Sequence, residues 1–410
     1  KEKTNEYSGI PTFESKVQLS EKINYLFSLD ENERLNHEYE FDGQYIDDKP
    51  LYTNEIIRLI DLTVITKEML PKIKKDIDLV VKRILDDDEK RVKLGKHCQL
   101  KKMRECIYKD LCYDRFPKKN SILMYLDKHH GFKEEDGKKH DYFDLIEEGY
   151  YSMEDVPHSW LNRKNNRIQR EIAMSHGIHK NLNKINSALR EIKYPIYHLD
   201  FESFPCPLPR FKGERAYMQS LFQFSLHIER EPGVCDKELD HYEYLSDNHN
   251  DNRLKLVEKL CEYIQDDGGS VMVYNEAFEK TRIKELAKFF PEYSNKLLNI
   301  NERLFDLLYV VKTNTKLFSA LGFDDEDAKT INYYHEDLAG SFSIKKVLPL
   351  FSNLTYKGME VSNGMEAVYA YAGYKDLNQA ELAQVRAGLT EYCKQDTWAM
   401  VEILEQLRKI

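Results

Sequence analysis

The order of strand and helix patterns after Tyr194 limits the folds that this chain can adopt. Apolar residues first alternate along segments of strand length and then recur at helical spacing, and these two periods indicate strands and helices respectively. We predict strands at 194–202, 221–228, 241–245 and 270–275 and helices that include 253–264 and 379–407. Strands and helices in this order predict an α/β fold, with a mixed sheet and flanking helices in the C-terminal half.

The length of 410 residues predicts more than one domain, because a single hydrophobic core rarely grows beyond ~250–300 residues. We place the boundaries at residues 1–120, 121–193 and 194–410. The first region contains a β-rich run and then apolar residues at helical spacing between Leu70 and Ile84, which predict a strand and an amphipathic helix. Residues 121–193 are predicted to be a basic, mostly helical connector, so the first half is a smaller, mostly helical α+β region.

Charge is unevenly distributed along the chain, whose net charge is −10. Residues 90–119 contain eleven Lys and Arg against three Asp and Glu, and residues 159–193 contain eight against two. The basic segments could bind phosphates while acidic side chains elsewhere bind metal ions. Solvated basic helix faces are the alternative interpretation of the same segments.

Apolar runs in the sequence stay well short of the ~18 residues that cross a bilayer, and the first residues lack the apolar core of a signal peptide. We therefore expect a cytoplasmic protein without membrane contacts. Seven cysteines, an odd number, are unevenly spread. They favour reduced thiols or metal ligation over a secreted disulfide framework.

Two acidic residues, Asp200 and Glu202, are separated by one residue on a predicted strand, so their side chains project from the same face. Two neighbouring carboxylates repel each other, which costs free energy unless a cation neutralises them. Oxygen ligands of this kind suit Mg²⁺ or Mn²⁺. A solvated strand face is the simpler explanation of such a pair taken alone.

Further acidic residues accompany this pair. Glu279 follows the strand at 270–275 where a helix should begin, which places it in the first helical turn. Tyr392 and Asp396 lie one turn apart on the same face of the last predicted helix. Four acids and a tyrosine from three elements could therefore converge.

These motifs, in this order, resemble the three exonuclease motifs of DnaQ-like enzymes, in the variant with tyrosine at the third motif. The segments HLDFESF, FQFSLHIE, VYNEAFEKTRI, GSFSIKKVLP and YCKQDT are similar to an uncharacterised bacterial family that joins a RecB-like nuclease half to a DnaQ-like exonuclease half. The resemblance covers residues 90–410. It implies an RNase H-like fold and metal-dependent 3′→5′ exonuclease activity on single-stranded DNA or RNA.

The resemblance also implies roles for individual residues. Asp200, Glu202 and Asp396 would bind one divalent ion, and Asp200 would be shared with a second ion that Glu279 completes. Tyr392 would orient the attacking water. Phosphodiester hydrolysis would then follow a two-metal mechanism.

The second motif departs from the family pattern, because most DnaQ-like enzymes have Asp where this chain has Glu279. Asp306 is the other candidate for the fourth acid, and a helix cap is its alternative role. The departure also leaves open a catalytically inactive module that binds nucleic acid, or a structural partner in a larger complex. Bound divalent ions would favour the enzyme, and a site filled by lysine would favour the module.

Several side chains near the motifs are candidate substrate contacts. Phe201, Phe204 and Phe278 could stack on a terminal base, with core packing as the alternative for Phe278. Asn275 and Lys345 could contact the nucleic acid. Ser341 precedes an apolar helical run, for which we predict it to be the N-cap. His198 and His227 are predicted to be hydrogen-bonded structural residues.

A cysteine segment, His97-Cys98 with Cys106 and Cys112, resembles the cysteine trio of RecB-like nucleases, which implies an iron–sulfur cluster with a fourth cysteine. Such clusters normally take four thiolates, and no cysteine precedes Cys98 in this sequence. A zinc site that includes His97, or simply reduced thiols, are the alternatives. A RecB-like nuclease motif should show an Asp followed by acid-x-Lys. Glu14-Ser15-Lys16 has this tripeptide form, but no Asp precedes it and we interpret it as a chance match. The first half is therefore interpreted as a truncated or degenerate nuclease remnant.

Overall fold

A computed structural model of the chain describes residues 44–46, 49–51, 63–85, 93–99 and 106–410. Contacts divide the chain into two compact units. The small unit comprises Lys1–Cys112 and Pro207–Ala216, and the large unit comprises Tyr113–Cys206 and Tyr217–Ile410. Among the described residues, none of the helices combines the length and the apolar character needed to span a bilayer.

The small unit contains an antiparallel strand pair and a long helix. Strands β1 (Gln44–Ile46) and β2 (Lys49–Leu51) pair with each other, helix α1 spans Thr63–Leu85, and α2 spans Lys109–Tyr113. Helix α1 confirms the predicted helix but begins earlier, within the β-rich run, since β-branched residues disfavour a helix by only a few tenths of a kcal/mol. Residues 52–62 and the tripeptide Glu14-Ser15-Lys16 lie outside the described residues.

The large unit begins with small elements that the sequence analysis assigned to a connector. They are β3 (Phe132–Lys133), β4 (Lys139–His140), α3 (Tyr142–Glu147), α4 (Lys164–Ser175), β5 (His179–Lys180) and α5 (Leu182–Leu189). Ile168 and Ile185 are buried in the same hydrophobic core as the C-terminal helices. Residues 121–193 are therefore an integral part of the large unit, because their apolar positions pack inward. Most of their basic positions are exposed, but Lys184 is buried and donates to the carbonyl oxygens of Asp327 and Thr330.

A five-stranded mixed sheet forms the centre of the large unit. Its strands are β6 (Ile196–Pro205), β7 (Gln219–Glu229), β8 (His241–Leu245), β9 (Val271–Val273) and β10 (Leu304–Asp306). Their order is β10-β9-β6-β7-β8, with β7 antiparallel to β6 and β8, and β9 and β10 parallel to β6. A register shift between Glu202 and Ser203 interrupts the pairing of β6 with β7. Strand β11 (Tyr333–Tyr334) pairs with β5.

Helices cover both faces of this sheet. They are α6 (Arg253–Tyr263), α7 (Ala277–Phe289), α8 (Ser294–Glu302), α9 (Leu307–Val311), α10 (Thr315–Ala320), α11 (Asp325–Lys329), α12 (Ile344–Phe351), α13 (Gly364–Ala372) and α14 (Gln379–Leu407). Alternate residues of β6 divide between two cores: Leu199 packs with residues of α6, α7 and α8, whereas Ile196 shares a core with residues of α12, α13 and α14. The side chains of Asp200 and Glu202 therefore project toward the α14 face.

The core between the sheet and α13 provides a test of this packing. Phe222 is 1% exposed and stacks on Tyr371 with ring centroids 4.1 Å apart. We expect Phe222→Ala to lower the free energy of unfolding by about 3–5 kcal/mol, because it leaves a cavity in the core. Chemical denaturation followed by circular dichroism measures the change. Leu239→Ala, at a side chain that is 82% exposed, is the control and should change the value by less than ~0.5 kcal/mol; equal effects of the two substitutions would contradict the packing.

Candidate metal centre

Three carboxylates from two elements meet on the α14 face of the sheet. Asp200 and Glu202 come from β6 and Asp396 from α14. Each offers a carboxylate oxygen, and these three oxygens lie within 4.8 Å of one another. Within the described part of the chain, this is the one group of three or more acidic, histidine or cysteine side chains close enough to share a metal ion.

Buried hydrogen bonds fix the register of α14 against β7. Gln223 Nε2 donates to the carbonyl oxygen of Leu389 at 2.9 Å. Ser225 Oγ and His227 Nδ1 each lie 2.8 Å from Thr397 Oγ1, in the residue that follows Asp396. Because Ser225 is also the partner of Asp200 in the β6–β7 register, the same contacts place Asp396 opposite Asp200.

Two buried tyrosines surround Asp396. The hydroxyl of Tyr356 donates to Asp396 Oδ1 at 2.6 Å, and Tyr392 lies one helical turn before Asp396 on α14. Their ring centroids are 6.3 Å apart. Burial raises the pKa of both phenols, so both remain protonated donors. The sequence analysis missed Tyr356 because it lies between α12 and α13 in a segment without periodicity.

A lysine and a cysteine also lie beside the carboxylates. Lys345 Nζ is 5.0 Å from the ring centroid of Tyr356 and 5.3 Å from that of Tyr392, and it donates to the carbonyl oxygen of Ser362. Cys393 Sγ lies 3.5 Å from Asp200 Oδ2. The sequence analysis named Lys345 as a candidate substrate contact but did not single out Cys393.

Burial and mutual repulsion favour the protonated forms of these acids. Burial, followed by the charges of Asp396 and Glu202, raises the pKa of Asp200 well above its usual range. Burial and the charge of Asp396 raise the pKa of Glu202 to about 8, although the charge of Lys345 opposes this change. Burial raises the pKa of Asp396 to about 6, against the hydrogen bond from Tyr356, the charge of Lys345 and a hydrogen bond from Tyr392. A cluster of this kind binds either protons or a cation.

Glu279 lies in the first turn of α7, as predicted, and is 4% exposed. Its Oε2 atom is buried without a hydrogen-bond partner among the described residues. Burial raises the pKa of Glu279 to about 8, and its charge contributes to the raised pKa of Asp200 and of Glu202. Glu279 is therefore close enough to act on the cluster electrostatically, although it is outside the group of three.

Asp306, the other candidate for the fourth acid, is engaged in backbone hydrogen bonds. Its carboxylate accepts from the amides of Asn275 at 2.8 Å, Glu276 at 2.9 Å and Leu308 at 3.0 Å. It caps α9 and holds the loop that leads into α7. The structure therefore places Asp306 in the capping role, which was its alternative interpretation.

Phe201 lies away from the cluster, contrary to its predicted substrate contact. As the residue between Asp200 and Glu202 on a strand, it faces the opposite side of the sheet, where it is 4% exposed in the core. Phe278 is partly buried against the same core. Phe204 lies edge-on to Tyr371 with ring centroids 5.7 Å apart.

Two polar residues near the motifs have local roles in the backbone. Asn275 is exposed, with a left-handed φ of 73°. Ser341 is not the N-cap of α12, since that position is Ser343, whose amide donates to Ser341 Oγ at 3.4 Å. The predicted cap is therefore wrong by two residues.

The predicted structural roles of two histidines are confirmed. His198 Nε2 lies 3.2 Å from Glu229 Oε2. His227 makes hydrogen bonds with Thr397 and with the carbonyl oxygen of Lys237.

The three cysteines of the small unit do not converge. Cys98, Cys106 and Cys112 are free thiols, of which Cys106 is exposed. Within residues 93–99 and 106–410 they form no group of three metal-ligating side chains, with or without His97. The iron–sulfur, zinc and reduced-thiol interpretations of this segment stay predictions.

Residues 197–343 match the model of a family described as "Domain of unknown function (DUF2779)". That segment contains Asp200, Glu202 and Glu279 but ends before Tyr392 and Asp396. The chain is also 24% identical over 241 residues to "Uncharacterized protein UU173" of Ureaplasma parvum, covering 54% of this chain and 32% of that protein. It is 27% identical over 242 residues to "Uncharacterized protein MG366 homolog" of Mycoplasma pneumoniae, covering 54% and 33%.

The chain therefore matches about a third of the length of these curated relatives. No solved structure matches it.

The raised pKa values predict how pH acts on the metal-free protein. Glu202 and Glu279, with pKa values of about 8 when folded, hold protons that the unfolded chain releases above pH ~4.3. The unfolded state then binds fewer protons, so stability falls as pH rises through 6 to 8. We expect the melting temperature in EDTA to fall over this range, and Mn²⁺ to raise it more at pH 8 than at pH 6.

Scanning calorimetry at both pH values, with and without Mn²⁺, measures these changes. Glu202→Gln removes one of the titrating groups and should reduce the pH dependence. Equal stabilisation by Mn²⁺ at the two pH values, in the wild type, would contradict the coupling between protons and metal.

Proposed function

We propose that the large unit is a metal-dependent 3′→5′ exonuclease that hydrolyses phosphodiester bonds of single-stranded DNA or RNA. The observation that carries this proposal is the convergence of carboxylate oxygens from Asp200, Glu202 and Asp396. The direction of cleavage and the substrate class rest on the resemblance of the three motifs to DnaQ-like enzymes.

The donor set fits a hard divalent cation. All three converging ligands are carboxylate oxygens, which suit Mg²⁺ and Mn²⁺. Glu279 contributes a fourth carboxylate whose buried oxygen has no described partner, and ligation would remove the cost of leaving it unpaired. Asp200, Glu202 and Asp396 would hold one ion, and Glu279 would complete a second. When bound, such ions lower the pKa of a water and stabilise the attacking and leaving oxygens.

An RNase H-like arrangement is part of this proposal. The mixed sheet has one internal antiparallel strand, β7, and two strands, β9 and β10, parallel to β6. The central strand β6 carries the first motif, and helices cover both faces. This architecture supports the expectation drawn from the motifs.

The protein side chains around the cluster would orient the reactants. The oxygen of a water forms a bond to the terminal phosphorus, and the bond from phosphorus to the preceding 3′ oxygen breaks. That oxygen takes up a proton, so the products are a nucleoside 5′-monophosphate and a strand shortened by one nucleotide. Tyr392 would orient the water through its protonated hydroxyl, and Tyr356 would hold Asp396 through Oδ1.

Digestion of labelled oligonucleotides tests the proposal. With Mn²⁺, we expect single nucleotides to be lost from the 3′ end of single-stranded DNA or RNA. Asp200→Ala or Asp396→Ala should lower the rate roughly 10³-fold, because metal-ion catalysis contributes several kcal/mol. Asp325→Ala is the matched control, since its side chain is 91% exposed and its only ion pair in the described residues is with Lys329.

If the wild type binds the oligonucleotide but leaves it intact, as the variants do, the enzyme is overturned and a non-catalytic binding module is favoured. Cleavage that survives both Asp200→Ala and Asp396→Ala would place the activity elsewhere in the chain. Thermal denaturation of each variant shows that it is folded.

The two tyrosines should differ in the step that they affect. Tyr392→Phe removes the donor that orients water and should lower kcat by about 10- to 100-fold. Because Tyr392 is also a weaker hydrogen-bond partner of Asp396, this change should shift the metal dependence less than Tyr356→Phe does. Tyr356→Phe removes the hydrogen bond to Asp396, which is worth about 1.5 kcal/mol or more. It should raise the Mn²⁺ concentration for half-maximal rate by about tenfold.

Titrations of rate against Mn²⁺ for both variants separate these effects. If Tyr356→Phe lowered kcat alone and Tyr392→Phe shifted the Mn²⁺ dependence, the two assignments would have to be exchanged.

A further inference from the structure

Lys345 occupies an unusual position beside the carboxylate cluster. It lies in the first turn of α12, and its Nζ atom is over the rings of both Tyr356 and Tyr392 at 5.0 and 5.3 Å from their centroids. Cation–π contacts of this kind hold an ammonium group without neutralising it. One of these tyrosines, Tyr356, donates a hydrogen bond to Asp396 Oδ1.

The ammonium of Lys345 retains donors that the described protein does not use. A lysine has three N–H donors, and the acceptor found for Lys345 in the described part of the chain is the carbonyl oxygen of Ser362. Among the described residues, Lys345 forms no ion pair with Glu202 or Asp396, although its ammonium lies over the rings of the two tyrosines beside Asp396. Lys345 thus acts on the carboxylates from a distance and does not fill the space between them.

The segment that anchors Lys345 also borders the cluster. Gly364, the first residue of α13, follows Ser362 by two positions. A Cβ atom at Gly364 would lie 3.6 Å from Glu202 Oε2, so the backbone passes close to that carboxylate with no side chain between them. The segment that accepts the hydrogen bond of Lys345 therefore runs beside Glu202 of the cluster.

We propose that Lys345 is a substrate-binding residue whose ammonium binds a non-bridging oxygen of the scissile phosphodiester, while its charge opposes metal binding in the free protein. This inference rests on the proposed exonuclease function. Lysine binds phosphate as a compact point charge. The two tyrosine rings and Ser362 keep that charge from pairing with the metal ligands, which remain free for ions.

Two opposite effects follow from this position. Removing the charge of Lys345 removes a repulsion from the ions. At a pH where the carboxylates are deprotonated and protons do not compete, Mn²⁺ should therefore bind more tightly to the free protein. The same change removes an attraction for the phosphate, so the substrate should bind and react less well. A lysine that only supports the packing of α12 would weaken both processes together.

The experiment compares Lys345→Met with wild type, Lys345→Arg and Lys346→Met. Lys346 is the neighbouring exposed lysine on α12 and is the matched control. Isothermal titration calorimetry with Mn²⁺ measures metal binding without substrate, and digestion of a labelled single-stranded oligonucleotide at saturating Mn²⁺ measures kcat/KM. For Lys345→Met we expect Mn²⁺ to bind about three- to tenfold more tightly and kcat/KM to fall about 10- to 100-fold.

Lys345→Arg should stay within a few-fold of wild type in both measurements, and Lys346→Met should match wild type. If Lys345→Met weakens Mn²⁺ binding as well as kcat/KM, Lys345 is structural and the inference is overturned. If wild type cleaves and Lys345→Met cleaves equally well, this inference fails and the exonuclease proposal stands. A wild type that cleaves nothing overturns both proposals.

Discussion

The repulsion among buried carboxylates is the interaction on which the rest of the large unit depends. Asp200, Glu202 and Asp396 bring acidic oxygens within 4.8 Å of one another in a largely buried site. Such an arrangement costs free energy in a metal-free protein. The carboxylates must either stay charged close to one another in a buried site or hold protons that they would release in the unfolded chain. The remaining structure must therefore hold the acids together against this repulsion.

The restraint comes from uncharged hydrogen bonds behind the cluster. Thr397 on α14 joins Ser225 and His227 on β7, and burial lowers the pKa of His227 to about 3. This histidine is neutral near pH 7. The hydrogen bonds that set the register of α14 therefore involve no charged group that a bound cation would repel. A satisfied polar network of this kind specifies one arrangement of helix and sheet, and it places Asp396 while leaving its carboxylate to titrate.

Regular elements of this site could be predicted from the sequence, and irregular ones could not. Strand alternation placed Asp200 and Glu202 on one face, and helical periodicity predicted the last helix over 379–407, as observed. The same alternation places Phe201 on the opposite face from the acids, in the core, so its predicted substrate contact conflicts with the strand pattern itself. Tyr356 and Ser362 lie between α12 and α13. That segment has no helical or strand periodicity from which the direction of a side chain could be predicted.

The second motif shows how the fold distinguishes two acids that the sequence left as alternatives. Asp306 ends β10 and uses its carboxylate on three backbone amides, two of which belong to the turn before α7. That turn contains the left-handed Asn275, a conformation that asparagine adopts more readily than most residues. Asp306 thereby determines where α7 begins. The first turn of α7 directs Glu279 inward, and Glu279 Oε2 has no hydrogen-bond partner among the described residues. One acid is a structural support for the other, so loss of Asp306 would displace Glu279 without removing any carboxylate from the cluster.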